Sequence, residues 1–110
     1  MNQYIQDLKK SWGKFSLEEQ MANIGAEVGR AAKWQGKDEK LFEGAVSRSI
    51  ELFELTLDDQ RWQGHLWEIG RARELFCEAA EKGKIYNTTL KDLEKYFSPF
   101  MFLARRRAEL

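Results

Sequence analysis

The stretch Asp38–Leu57, DEKLFEGAVSRSIELFELTL, is the most apolar segment of the chain, and its reading decides the fold. At about 100° per residue, Phe42, Ala45, Val46, Ile50, Leu52, Phe53 and Leu57 share one broad helical face, with Ser49 and Thr56 inside it. Glu43, Glu51, Glu54 and Asp58 fall on the opposite side. A face this wide exceeds what one neighbour can bury, so contact with two other helices is expected. Asp38 is placed to cap the helix, and Leu57-Asp58-Asp59 ends it, the acids being available to cap the next one.

Working outward toward the N-terminus, Ser16-Leu17-Glu18-Glu19 has the form of a capping box. The helix it starts carries Leu17, Met21, Ile24, Val28 and Ala31 on one stripe. Beside that stripe run the small residues Ala22, Gly25, Gly29 and Ala32. Each glycine inside a helix costs about 1 kcal/mol relative to alanine, so close approach of a neighbouring helix backbone, within the monomer or across a dimer, is expected. Gly36 serves as the C-terminal stop. Upstream, residues 2–12 place Tyr4, Ile5, Leu8 and Trp12 on one side, a short amphipathic helix that must dock to be stable.

On the other side, a third helix from about Gln60 to Lys82 puts Trp62, Leu66, Ile69, Ala72, Phe76 and Ala80 inward, with Cys77 at the margin and Gly83 as its stop. Arg73 falls near the middle of that apolar stripe, and Trp67 on what should be a wet face. Asn87-Thr88-Thr89 offers caps for a fourth helix bearing Leu90, Leu93, Phe97, Phe100, Met101 and Ala104. Ser98-Pro99 marks either a kink or a stop and restart. Four main helices with short connections favour an all-α, antiparallel up-down four-helix bundle with a short additional N-terminal helix, forming one domain over residues 1–110.

Composition bounds the chemistry. With 110 residues, 43% of them hydrophobic and four of them Trp, the chain can bury roughly two-thirds of its unfolded surface. Eighteen basic residues balance eighteen acidic ones, so there is no overall pull toward nucleic acid or an anionic membrane. One cysteine excludes an intrachain disulfide, no apolar run is long enough to cross a bilayer, and the start lacks a signal-peptide apolar region. A cytoplasmic protein without a membrane partner is expected.

Catalytic and metal chemistry lack their residues. A di-iron carboxylate bundle needs inward Glu residues and Glu-x-x-His pairs; the chain has one His and no such pair, so no metal or cofactor is expected. His65 and Cys77 lie twelve residues apart on one helix, about 18 Å along its axis, and cannot act together. No enzymatic activity is expected.

Three other groupings carry expectations. A guanidinium on a core-facing stripe must find an acceptor, and Glu27, at the margin of the first long helix's stripe, is the expected partner of Arg73, with Asn23 completing a polar core network. Trp67, Leu55, Leu75, Leu103 and Phe102 fall outside the stripes a single bundle needs and form a candidate interface, pointing to a homodimer or a helical protein partner. Arg105, Arg106 and Arg107 are the candidate nucleic-acid contacts, a role less favoured because three adjacent arginines spread around a helix.

The segments Glu19–Trp34 (EQMANIGAEVGRAAKW), Ser49–Leu57 (SIELFELTL) and Glu94–Phe97 (EKYF) resemble a family of short prokaryotic proteins. The resemblance covers most of the chain from Ser16 on and implies an all-helical single domain, with no activity, cofactor or site attached. HEPN ribonucleases are also small helical bundles, but their Arg…His signature has a longer gap than the three residues between Arg61 and His65, so that likeness is one of fold analogy. The sequence therefore points to a non-catalytic, self-associating interaction or assembly module. The alternative is an RNA-linked role, as a divergent HEPN-like toxin component or a nucleic-acid-binding accessory subunit.

Overall fold

In the computed structural model, which describes residues 3–81 and 89–109, the described residues form helices and short connections, with no strand. The α-helices are α1 (Gln3–Trp12), α2 (Leu17–Trp34), α3 (Glu39–Leu57), α4 (Leu66–Ala80) and α5 (Leu90–Glu109), and a 3-10 segment, Gln60–His65, precedes α4.

Local signals start the helices where the sequence places them. The Ser16 hydroxyl accepts from the Glu19 amide at 3.2 Å while the Glu19 carboxylate accepts from the Ser16 amide at 2.9 Å, satisfying two amides that a helix start leaves unbonded. Asp38 accepts from the Leu41 amide at 3.1 Å. Thr89 and Asp92 repeat the reciprocal cap at the start of α5, each side chain accepting from the other's amide at 3.1 Å. Gly36, at φ +76°, takes the left-handed conformation that ends α2.

Two element boundaries depart from the sequence reading. The segment before α4 is 3-10 rather than α-helical because Trp62 (φ −106°, ψ 25°) breaks the regular dihedrals, and the Asp59 carboxylate holds the Arg61 amide instead of letting the α pattern begin. α4 ends at Ala80, and Lys82, Gly83, Lys84, Asn87 and Thr88 lie outside the described residues. At Ser98-Pro99 the helix neither stops nor restarts: α5 is continuous through Pro99. Ser98 Oγ donates to the Glu94 carbonyl at 3.1 Å, and Pro99, which removes one amide from the helix, stands on its exposed side.

The core is built between α2, α3, α4 and α5. α2 packs against α3 and α5, and α4 packs against the same two helices. Phe53, Phe76 and Phe97, from α3, α4 and α5, are fully buried; Phe53 meets Phe76 at 5.8 Å and Phe97 at 6.2 Å between ring centroids. Met21, Ile24, Val28 and Ala31 of α2 are buried with them. The broad α3 face therefore does contact more than one helix. The close approach expected of Gly25 is with α5: a Cβ on Gly25 would lie 2.6 Å from Phe97 Cβ, whereas one on Gly29 would meet only Glu94 Cδ at 3.9 Å. Along α2, Gly29 thus faces Glu94, Gly25 faces Phe97, and Ala22 shares a small pocket with Met101 and Ala104. Rising α2 numbers meet falling α5 numbers, so these two helices run in opposite directions.

α1 lies along the second half of α3. Tyr4 Oη approaches Glu51 at 3.5 Å, and Lys9 Nζ pairs with Asp58 at 2.9 Å. Trp12 Nε1 donates to Thr56 Oγ1 at 3.0 Å. Docking stabilises a helix too short to persist alone. It also overturns one expectation: Leu55, read as a stranded interface residue, is only 8% exposed. The helical wheel of a four-helix core assigns Leu55 to solvent, and α1 supplies the cover that the wheel omits.

Candidate protein-interaction face

The residues singled out from sequence do not form the groupings expected of them. Arg73 does not pair with Glu27. Its guanidinium bonds Glu54 of α3 at 2.7 Å, while Glu27 is taken by Arg48 of α3 at 3.1 Å and by Arg30 of its own helix. The reason is topological: α4 packs along α3 and α5, so its side chains reach carboxylates on α3 before any on α2. Arg73 is also half-buried rather than central, and its Nε finds no acceptor. Asn23 completes no core network; it is exposed and donates to the Glu19 carbonyl one turn back at 2.8 Å.

The buried polar network lies elsewhere, at the junction of α1, α2 and the 3-10 segment. Gln20, fully buried, donates to the Trp12 carbonyl at 2.9 Å and to Asp59 Oδ2 at 3.2 Å, and accepts from Trp62 Nε1 at 2.9 Å. Arg61 grips the Asp59 carboxylate with Nε at 3.0 Å and a terminal nitrogen at 2.7 Å, reaches the Phe15 carbonyl at 2.9 Å, and lies over the Trp62 ring at 4.5 Å. The Arg61 guanidinium holds the Asp59 carboxyl down at about 2. Every polar group of Gln20 is used, so the cluster fixes where α1 and the 3-10 segment sit against α2. The sequence held a signal for it: Gln20 occupies a core position in the series Leu17, Gln20, Ile24, Val28, Ala31.

Trp67 and Leu75 lie on one face of α4 and line the same trough. Trp67 is 87% exposed and stands at the edge of this trough of about 490 Å³ between α4 and α5, lined by Trp67, Glu68, Arg71, Ala72, Leu75, Leu93 and Tyr96. The floor is apolar. Glu68 and Arg71 are the trough's charged residues, and Arg71 pairs with Glu74 at 3.5 Å. Tyr96 Oη donates to Glu68 at 3.4 Å, and burial, reinforced by the Glu68 charge, pushes the phenol up. Sequence reasoning missed Tyr96 and Leu93 as trough walls, because only the α4–α5 pairing brings them beside Trp67. Phe102 and Leu103 are exposed on α5 but do not line the trough.

The remaining candidates do not assemble chemistry. His65 is exposed, with Glu68 its nearest carboxylate at 3.9 Å. Cys77 is half-buried, and burial raises its thiol. Among the described residues no group of three His, Cys, Asp or Glu could hold a metal ion, and no helix is long and apolar enough to cross a membrane. Arg106 is exposed, while the side chains of Arg105 and Arg107 lie outside the described residues. No family model matches the chain, and neither does any curated protein or solved structure.

Proposed function

We propose that the chain is a non-catalytic interaction module that self-associates through the face bearing Trp67. The observation that carries this reading is an exposed Trp standing beside an apolar trough on the same face. A two-fold dimer needs one patch to complement itself. Here the Trp67 ring of each copy is the knob and the Ala72–Leu75–Leu93–Tyr96 trough of the other is the hole. Charges of both signs line the trough, Arg71 and Glu68, and can pair across the axis, and a chain with zero net charge does not repel its copy. Burying two Trp side chains is worth roughly 4–6 kcal/mol each before the costs of association, enough to make Trp67 the anchor.

The bundle that supports this face is, in our reading, antiparallel and up-down: α2 opposed to α5 by the contacts above, short connections joining α2 to α3 and α3 to α4, and α1 as an added helix. Placing Trp67 on a helix packed against α5 fixes its backbone, which lowers part of the ordering cost of binding. Analytical ultracentrifugation of the wild type against Trp67→Ala tests the reading: a dimer for the first and a folded monomer for the second.

A further inference from the structure

Lys95, Pro99, Phe102, Leu103 and Arg106 occupy one outward arc of α5, about 100° wide and opposite the buried Leu90, Leu93 and Phe97. All five are exposed, Phe102 at 63% and Leu103 at 45%. Between Lys95 and Ala108 stand four of the chain's 18 basic residues and none of its 18 acidic ones. Asp92 lies in the same arc at the helix start, and Glu94 and Glu109 are on α5 too, so the helix as a whole carries five basic and three acidic residues, a net charge of +2 in a chain whose total is zero.

We propose that this arc of α5 docks on an anionic lipid surface, with Phe102 and Leu103 entering the headgroup boundary and Lys95 and Arg106 pairing with lipid phosphates. Bulky apolar side chains flanked by a cation at each end of about 16 Å of helix match what an interfacial helix requires. Lys and Arg stems can lie along the apolar boundary while their charges stay at headgroup level. The contact is superficial, since no described helix is long and apolar enough to cross a bilayer.

Two other occupants fit less well. A second copy, whose Trp67 face is taken up in the self-association proposed above, offers this arc either the same cations, which repel, or the groove of about 550 Å³ between α1 and α3. Two of that groove's carboxylates, Glu54 and Asp58, are already paired with Arg73 and Lys9. Nucleic acid would use the cations and stack on Phe102, but it has no use for exposed Pro99 and Leu103.

Co-sedimentation of the full chain with phosphatidylcholine vesicles, alone or mixed with phosphatidylserine, tests the proposal. The chain is expected to sediment with the anionic vesicles and stay in solution with the neutral ones. Phe102→Ser should lower binding by about tenfold or more and Arg106→Gln by about fivefold. Both variants should keep the wild-type circular dichroism spectrum and melting curve, because both side chains are exposed; Leu103→Ser is the substitute if either does not. Absence of wild-type binding to anionic vesicles overturns the proposal, as does a folded Phe102→Ser variant that binds like the wild type. Two further results also overturn it. One is a single-stranded RNA shift, in place of vesicle binding, that Arg106→Gln abolishes and Phe102→Ser leaves intact. The other is a lipid-free dimer that Phe102→Ser dissociates.

Discussion

Gly25 of α2 and Phe97 of α5 approach so closely that a Cβ on Gly25 would lie 2.6 Å from Phe97 Cβ. Neither atom can swing away, since both belong to the first carbon of a side chain on a packed helix. Gly25→Ala should therefore destabilise the fold by about 1–3 kcal/mol through overpacking, despite the better helix propensity of alanine. At Gly29 the same methyl meets only ordinary contact, 3.9 Å from Glu94 Cδ, and Gly29→Ala should stabilise by about 0.5–1 kcal/mol. Urea denaturation of the two variants should give opposite shifts in midpoint; shifts of the same sign would refute the packing assignment.

Gln20 binds three partners from a fully buried position. Gln20→Met keeps the volume but leaves the Trp12 carbonyl and the Trp62 indole N–H without their bonds. The expected loss is about 1–3 kcal/mol, with a change in tryptophan emission as Trp62 loosens. A variant as stable as the wild type, with unchanged emission, would show that the network does not hold this junction.

The Asp59 carboxyl, lowered from 3.8 to about 2 by Arg61, gives the acid limb of stability a definite sign. A depressed folded pKa contributes stability that is fully present above the unfolded value and is lost as pH falls through the folded one. Stability should therefore decline between 3.8 and about 2 on this account. Partial solvent screening reduces the contribution to about 1–2 kcal/mol. Asp59→Asn should lose that amount at neutral pH and show a shallower acid decline; thermal melts across the range would check both.

Arg73 and Glu54 form a partly exposed pair, so a double-mutant cycle with Arg73→Met and Glu54→Gln should give a coupling of only about 0.2–1 kcal/mol. The cycle of Arg73→Met with Glu27→Gln should give none. Coupling confined to the Glu27 cycle would contradict the observed pairing.

What the sequence revealed follows from how far each signal reaches. Caps are local chemistry, and Ser16, Asp38 and Thr89 each act as the residue order implies. The Gly25 stripe announced a close approach, though not which helix would make it. Arg73 and Leu55 were misread for one shared reason: a helical wheel shows which way a side chain points, not which element stands there. α3 places Glu54 beside Arg73, and α1 covers Leu55. Trp67 was read by the same wheel as Leu55 and differs only in that no element of the chain covers it, which leaves it 87% exposed. Tyr96 and Leu93 could not be joined to it before the α4–α5 pairing was known.

The most direct test of self-association through the Trp67 face is the solution mass of the wild type beside that of Trp67→Ala, by sedimentation equilibrium at matched concentrations. The wild type should sediment at twice 12.9 kDa. The variant should sediment at the monomer mass with an unchanged circular dichroism spectrum, because Trp67 takes almost no part in the core. A wild type that stays monomeric at the highest attainable concentration would contradict the account, and so would a Trp67→Ala variant that remains dimeric.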